Sequence, residues 1–378
     1  MVSQNAMQFA IFVLDNYGYS MDISKSIEQK LKFSGGVYQQ MMQRLSIIDS
    51  FKGNWKATEH QHSKHLKELR KIATIESIGS STRIEGATLT DAEVEKLLKS
   101  VKITKLKTRD EQEVIGYYEV VQVILDSYPD IKLSERYIHQ LHGMLLKHSD
   151  KDQHHKGKYK TLSNQVVANY PDGTKRTIFR TTDPHLTANE IQEVIKWTNE
   201  RFKKQDAHPL ITVAIFIYEF LSIHPYQDGN GRLSRLLTTL LMLQQDYKFI
   251  QYVSFENIIE TRKEEYYRAL MEGQKNRGKA TELIDKWVLF FLDCMVVLIQ
   301  RLEAKYETYS KLKKELNERQ QKILQYIKKR KAVQISEVDN AFKDYARNTL
   351  KKDLAYLVNE GLLLKTGEKR GVRYHIKE

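Results

Sequence analysis

Apolar residues recur at helical spacing along most of this chain, and a few segments depart from that pattern. "HPLITVAIFIYEFLSI", from His208 to Ile223, is almost wholly apolar and predicts a central helix buried on all sides. "WVLFFLDCMVVLI", from Trp287, is interrupted by Asp293 and falls short of the ~20 residues a bilayer requires, so it too predicts a buried helix. "LTDAEVEKLL" sets Thr90 three residues before Glu93, and "LTANEIQEVI" sets Thr187 three before Glu190; both are capping-box patterns that predict helix starts. Between residues about 157 and 182 the texture changes: "NQVVANYPDGTKRTIF" has two β-prone runs flanking Pro171, Asp172 and Gly173, a hairpin signal. From Leu316 the order is helix, helix, helix and then two strands. The third helix carries Leu350, Leu354, Leu357 and Val358 on one face and ends at Gly361. That order predicts a winged helix-turn-helix, and the lysine-rich "YETYSKLKKELNER" before it predicts a helical linker.

Composition narrows the class. Only five prolines interrupt 378 residues, so helices should dominate. The formal net charge is +13 with both signs mixed, which fits an anionic partner such as nucleic acid or a nucleotide without requiring one. Residues 314–378 hold sixteen Lys/Arg against nine Asp/Glu, a surplus of seven. Cys294 is the single cysteine, which excludes an internal disulfide and favours a reducing compartment. The N-terminal "MQFAIFVLDN" lacks a basic segment before it and is too short for a signal peptide. The expected setting is cytoplasmic, away from membranes.

The candidate chemistry lies in "IHPYQDGNGR", from Ile223 to Arg232, with Arg235 three residues further on. This loop follows the apolar helix and opens another, "RLSRLLTTLLMLQQ". A helix N-terminus offers unpaired N–H groups and a positive dipole end to an anion. Gly229 and Gly231 let the backbone approach a ligand closely. Arg232 and Arg235, three apart, should project on one face toward the same polyphosphate. Asp228 is a hard oxygen ligand suited to Mg²⁺, which usually takes one or two carboxylates together with phosphate oxygens. His224 can act as a general base near neutral pH. Together these outline phosphoryl or nucleotidyl transfer. An EF-hand beginning at Asp228 fails because Arg232 and Leu233 fill its fifth and sixth places, and no G-x-x-x-x-G-K-[ST] occurs.

"HPYQDGNGRLSR" closely resembles the active-site motif of the Fic (filamentation induced by cAMP) family, with Tyr226 in place of the usual Phe. The similar texture extends from about residue 75 to 245. The resemblance implies a mainly α fold: a Fic-type helical core with a β-hairpin flap, plus the C-terminal winged helix-turn-helix. The division it suggests is 1–75 as an N-terminal helical region, 76–308 as the core with its inhibitory helix, and 309–378 as linker and winged helix. It implies transfer of AMP from ATP, with Mg²⁺, to a Ser, Thr or Tyr hydroxyl of a target protein. By resemblance His224 deprotonates the hydroxyl and Asp228 holds the metal. Gly229, Asn230 and Gly231 cradle the phosphates, and Arg232 and Arg235 contact the outer ones. Upstream, Ser81 and Glu85–Gly86 in "SSTRIEGATLT" resemble the family's inhibitory motif, in which Glu85 would pair with Arg235 and obstruct the γ-phosphate site.

The hairpin would be the flap that clamps a target's backbone as an added strand. Tyr345, Arg347, Asn348, Lys351 and Lys352 could face DNA from the winged helix, which could equally dock a protein. His60, His62 and His65, and the pair His154 and His155, lack convincing metal-ligand spacing and read as solvated. Two alternatives stay open: removal of AMP from a modified protein, with Glu85 orienting a water, and a DNA-binding regulator whose core only senses nucleotide. Self-association is also left open.

Overall fold

A computed structural model describes residues 23–61, 63–100, 106–169, 175–279, 281–314, 316–330, 332–367 and 371–376. The chain divides into two compact units, Met1–Leu302 and Glu303–Glu378. The first unit begins with α1 (Ile23–Gln29), α2 (Gly35–Gln61), α3 (Ser63–Ile84), α4 (Asp91–Ser100), α5 (Arg109–Ser127) and α6 (Glu135–Leu145). A hairpin follows, β1 (Gln165–Asn169) with β2 (Lys175–Arg180), and then α7 (Pro184–Lys204), α8 (Pro209–Ile223) and α9 (Asn230–Gln244). A short 3-10 turn, Lys248–Tyr252, leads to α10 (Phe255–Thr261), α11 (Lys263–Gln274) and α12 (Asp285–Lys314), the last of which passes the boundary between the units at Leu302.

The apolar segment before the loop is α8, the axis of this unit. Residues 210–223 are all buried, packed between α7 and α9. A helix apolar all round must be covered on every side, and α12 covers another of them: Trp287 donates its indole N–H to the Ala214 carbonyl at 2.7 Å. Asp293, which interrupts the apolar run of α12, accepts from Arg44 of α2 at 2.6 Å. No helix among the described residues is long and apolar enough to cross a membrane.

The capping expectations divide. Thr90 does precede α4, with the Glu93 carboxylate accepting from the Thr90 N–H at 2.8 Å. Thr187 caps nothing: α7 starts earlier, at Pro184 after Asp183, and Thr187 is buried inside it with its hydroxyl donated to the Asp183 carbonyl. Proline at the first helical position fixes φ without losing a helix hydrogen bond, and it overrode the pattern. Glu190 instead accepts from Thr182 at 2.8 Å and from Arg277 at 3.0 Å. The hairpin strands pair antiparallel with an irregularity between Val166 and Val167; Pro171, Asp172 and Gly173 lie outside the described residues.

The second unit has α13 (Glu318–Arg330), β3 (Ala332–Val333), α14 (Ile335–Ala341), α15 (Arg347–Asn359), β4 (Leu363–Thr366) and β5 (Arg373–Ile376). Leu350, Leu354 and Leu357 of α15 enter its core with Ile323, Ile327 and Val338. The two expected strands form, and β3 adds a third on the far side of β5. This is a winged helix-turn-helix. Arg347, Asn348, Lys351 and Lys352 are exposed, as expected, but Tyr345 is not beside them: it precedes α15, is half-buried, and lies under the Arg319 guanidinium, 5.1 Å from the ring centre.

Candidate functional site

The site forms where α8 stops. His224 ends the helix in the left-handed region, φ 53°, with its N–H bonded to the Phe220 carbonyl at 2.9 Å. Glycine usually takes such a position because it has no Cβ to clash, and histidine is one of the few other residues that visits it with some frequency. The reversal brings His224 into the lining of a cavity of about 310 Å³, together with Glu85, Val166, Asp228, Gly231, Arg232, Arg235, Tyr266 and Tyr267. His224 Nδ1 lies 3.3 Å from the Leu221 carbonyl, which can only accept, so Nδ1 carries the hydrogen and Nε2 keeps its lone pair. Burial pushes the imidazole pKa down to about 4, so the ring is neutral at physiological pH. A base is thus held deprotonated.

The loop after His224 is closed from within. Asn230, buried, accepts from the Tyr226 N–H at 2.9 Å and donates back to the Tyr226 carbonyl at 2.7 Å. Its side chain is consumed by the loop, leaving its backbone N–H at the start of α9. Gly229, at φ 83°, makes the turn that a side-chain-bearing residue would strain. Tyr226 does keep the packing expected of an aromatic: it is buried and stacked on His142 at 3.7 Å between ring centres. Its hydroxyl also finds a partner, 2.9 Å from His139 Nδ1. His142 donates from Nε2 to the Asp228 carbonyl at 2.9 Å and accepts the Gly157 N–H at Nδ1, 2.8 Å.

Lys160 braces the loop from the foot of the hairpin. It is buried, and its ammonium donates to the Ile223 carbonyl, Thr181 Oγ1 and Asn164 Oδ1, all between 2.8 and 2.9 Å. Its own N–H bonds the Pro225 carbonyl at 2.9 Å, and Asn164 donates to the Tyr226 carbonyl at 2.8 Å.

The charged groups sort into two ends. At one end, Asp228 Oδ1 accepts from the Gly229 N–H at 2.6 Å and from Arg232 Nη2 at 3.3 Å, while Oδ2 accepts from Lys151 at 2.6 Å. Burial alone would raise this carboxyl, but Arg232 and Lys151 hold it well below the usual carboxylate range. At the other end, Arg235 Nη2 donates to Glu85 Oε1 at 2.7 Å and to the Ser81 carbonyl at 2.9 Å, and Nε donates to Ser81 Oγ at 2.7 Å. Burial would raise the Glu85 carboxyl, and the Arg235 charge and hydrogen bond overcome that and lower it. Glu85 packs so closely over Gly231 that a Cβ there would collide with its carboxylate.

Both arginines line the cavity, as expected, but they are tied to different partners. Arg235 reaches toward α3. Arg232 is buried and turns inward, 3.3 Å from Glu113 Oε2 and 3.3 Å from Asp228 Oδ1. Nη1 is the atom that faces Glu113, and Nε is buried with no hydrogen-bond partner among the described residues, a donor that a bound anion could satisfy.

A metal would have one protein ligand here. Asp228 is ionised and faces the cavity, and no group of three or more His, Cys, Asp or Glu among the described residues could hold an ion alone. That donor set suits Mg²⁺, which is commonly held by a carboxylate together with substrate phosphates. His155 is taken by Asp152 at 2.8 Å, whereas the side chains of His60, His62 and His65 lie outside the described residues. Lys151, Lys160, Asn164, Glu113, His142 and the tyrosines at 266 and 267 were not singled out by sequence reasoning. Each acts across a long separation, 77 residues for Lys151 and Asp228.

Comparison with known proteins agrees with this geometry. Residues 132–242 match the Fic/DOC family, and residues 319–367 match the DeoR-like helix-turn-helix domain. The chain therefore carries a Fic domain followed by a helix-turn-helix domain. It is similar to the protein adenylyltransferase Fic of Drosophila melanogaster, 29% identical over 206 residues, 54% of this chain and 39% of that protein. With the protein adenylyltransferase Fic of Drosophila ananassae it shares 28% identity over 244 residues, 63% of this chain and 46% of that protein. The chain thus spans less than half the length of these curated relatives. Among solved structures, a Fic family protein from Desulfovibrio desulfuricans G20 superposes with a TM-score of 0.58 at 21% identity, covering 92% of this chain and 97% of that one. Fic-1 from C. elegans gives 0.55 at 22% identity, covering 72% and 73%. These likenesses establish the fold.

Proposed function

We propose that this protein is an adenylyltransferase that moves AMP from ATP to a Ser, Thr or Tyr hydroxyl of a target protein, and that Glu85 restrains it. The observation that carries the reading is the placement of His224, whose Nδ1 faces the Leu221 carbonyl and leaves Nε2 for a proton, in the lining of a cavity shared with Asp228, Arg232 and Arg235. The target's hydroxyl oxygen attacks the α-phosphorus, its proton passes to His224 Nε2, and the bond to the pyrophosphate oxygen breaks. Backbone N–H groups at the start of α9, with Arg232 and Arg235, bear the phosphate charge. Tyr266, Tyr267 and Leu270 offer an apolar wall to the base. Asp228 would hold Mg²⁺, which when bound would neutralise phosphate charge.

Glu85 takes the Arg235 donor that an outer phosphate needs and places a negative charge beside it, so ATP binds poorly or off line. The hairpin would receive the target as an added strand, delivering its hydroxyl to His224. The exposed Arg347, Asn348, Lys351 and Lys352 on α15 support DNA as partner of the second unit, read as a salt-sensitive affinity lost when residues from about 314 onward are removed.

The test is incubation with α-labelled ATP and Mg²⁺, alone and with cell lysate, for wild type and Glu85→Gly. Label on protein, stronger in the variant, is expected; no label from either protein would end the transferase reading. Loss of AMP from a pre-modified target that requires Glu85 would instead support removal.

A further inference from the structure

The two oxygens of Asp228 are not equivalent. Oδ1 is pinned inward by the Gly229 N–H and Arg232, leaving Oδ2 as the oxygen open to a cation. A cation already sits there. Lys151 Nζ lies 2.6 Å from Oδ2, whereas Arg109 Nη2 is further off at 3.9 Å.

This contact is built. Lys151 belongs to a turn organised by Asp152, which is buried and accepts from Ser149 Oγ at 2.5 Å and from His155 Nε2 at 2.8 Å. The turn is tied to Asp228 through one imidazole: His142 accepts the Gly157 N–H on one nitrogen and donates to the Asp228 carbonyl from the other. The turn and the acid therefore keep a fixed separation. The Lys151 side chain is nevertheless half exposed, and its one ion pair among the described residues is with Asp228. It can leave without disturbing the fold.

We propose that Lys151 is a built-in cation that occupies the metal-facing oxygen of Asp228 and must vacate it before a divalent metal binds. This rests on Asp228 being the metal anchor. Mg²⁺ coordinates oxygen at about 2.0–2.1 Å, so an ion on Oδ2 would fall in contact with the ammonium. The two are mutually exclusive on steric and electrostatic grounds. With Arg109 and Arg232 also close, a bare metal ion meets a positive surface. A metal bound to the phosphates of a nucleotide arrives with its charge offset and is favoured over the free ion.

The experiment is a Mn²⁺ titration of the nucleotide-free full chain, followed by electron paramagnetic resonance. The proteins are wild type, Lys151→Met, Lys151→Gln, Asp228→Asn and the double variant Lys151→Met/Asp228→Asn, all matched for thermal midpoint. Both lysine variants should bind one Mn²⁺ roughly five- to fiftyfold more tightly than wild type, the range expected when a unit charge about 4 Å away is removed from a half-exposed site. The double variant should lose that gain. Lysine variants that bind no more tightly than wild type, or not at all, overturn the competition, and if Asp228→Asn still weakens binding the metal anchor survives. A gain that persists in the double variant overturns both, because the metal would then lie elsewhere.

Discussion

The two ends of the loop from His224 to Arg235 are each occupied by a group borrowed from elsewhere in the chain, and the loans differ in kind. At Asp228 the borrowed group is a cation on an exposed turn, Lys151, held by one ion pair among the described residues. At Arg235 it is an anion, Glu85, just past the end of α3, and the segment that presents it is fastened at several points. Arg83 makes a bidentate pair with Glu260 at 2.7 and 3.0 Å and also bonds Asp91 and the Leu89 carbonyl, both at 2.9 Å. Lys263 caps the Ile84 carbonyl at 2.9 Å, and Ser81 gives Arg235 two further acceptors. A half-exposed ion pair is worth little and exchanges readily. A buried arginine with several partners does not. On the proposed reading, the difference would separate a placeholder that substrate displaces from a restraint that yields only when the segment carrying Glu85 moves.

The largest effect that tests this contrast is loss of chemistry itself. His224→Ala should reduce labelling ~10²–10⁴-fold, the usual contribution of a general base, and do so equally in the Glu85→Gly background. Recovery of labelling in the double variant would place the base elsewhere. Next in size, Glu85→Gly should raise labelling roughly ten- to a hundredfold. A charge-assisted hydrogen bond contributes ~1.5–3 kcal/mol, and ~1.4 kcal/mol is a factor of ten in rate. Arg235→Ala should cancel the gain, as measured in a double-mutant cycle. Smaller again, Arg83→Ala leaves Glu85 in place but loosens its mount, so labelling should rise about three- to tenfold. No rise would mean that Glu85 stays seated without the Arg83 ties, and the contrast between the two ends would shrink.

The smallest expected effect is one of pH. With the His224 pKa near 4 instead of 6.5, the imidazole is already deprotonated at pH 6. Labelling limited by proton transfer should therefore change less than about twofold from pH 8 to 6, whereas an ordinary histidine would lose roughly three-quarters of its base form. The same depressed pKa, shared by His142, makes folding stability greatest above pH 6.5 and lowers it as pH falls toward 4, because the unfolded chain binds the protons first. A urea midpoint that is flat across that range would contradict the burial of these rings.

What the sequence disclosed and what it withheld follow from range. His224, Asp228, Gly229, Asn230, Gly231, Arg232 and Arg235 stand within twelve positions, and helix periodicity on both sides fixes the loop between them. Glu85 was legible because a second short motif carried it, and its pairing with Arg235 appears at 2.7 Å. The pairing of Arg232 with Glu113 was not legible, since the spacing of 232 and 235 says nothing of a carboxylate on α5. Nor were Lys151 and Lys160. A lone lysine in a lysine-rich chain carries no local signal, and its partner is chosen by the packing of α6, the hairpin and α8. Thr187 failed for the opposite reason: a good local pattern lost to a better one, Pro184, three residues before it.

Lys160 has a consequence of another sort. By bonding Ile223, Thr181 and Asn164 at once, and the Pro225 carbonyl through its backbone, it makes the hairpin's foot and the histidine's loop a single fixture. A guest strand laid along that hairpin would meet the imidazole at a height fixed by the fixture, whatever its side chains. If the proposed transfer is right, choice of client and chemistry of transfer would be separate parts of the tool: the jaw could be recut by altering the hairpin while the blade stays as it is, a division of labour that would let one enzyme be retargeted without relearning its reaction.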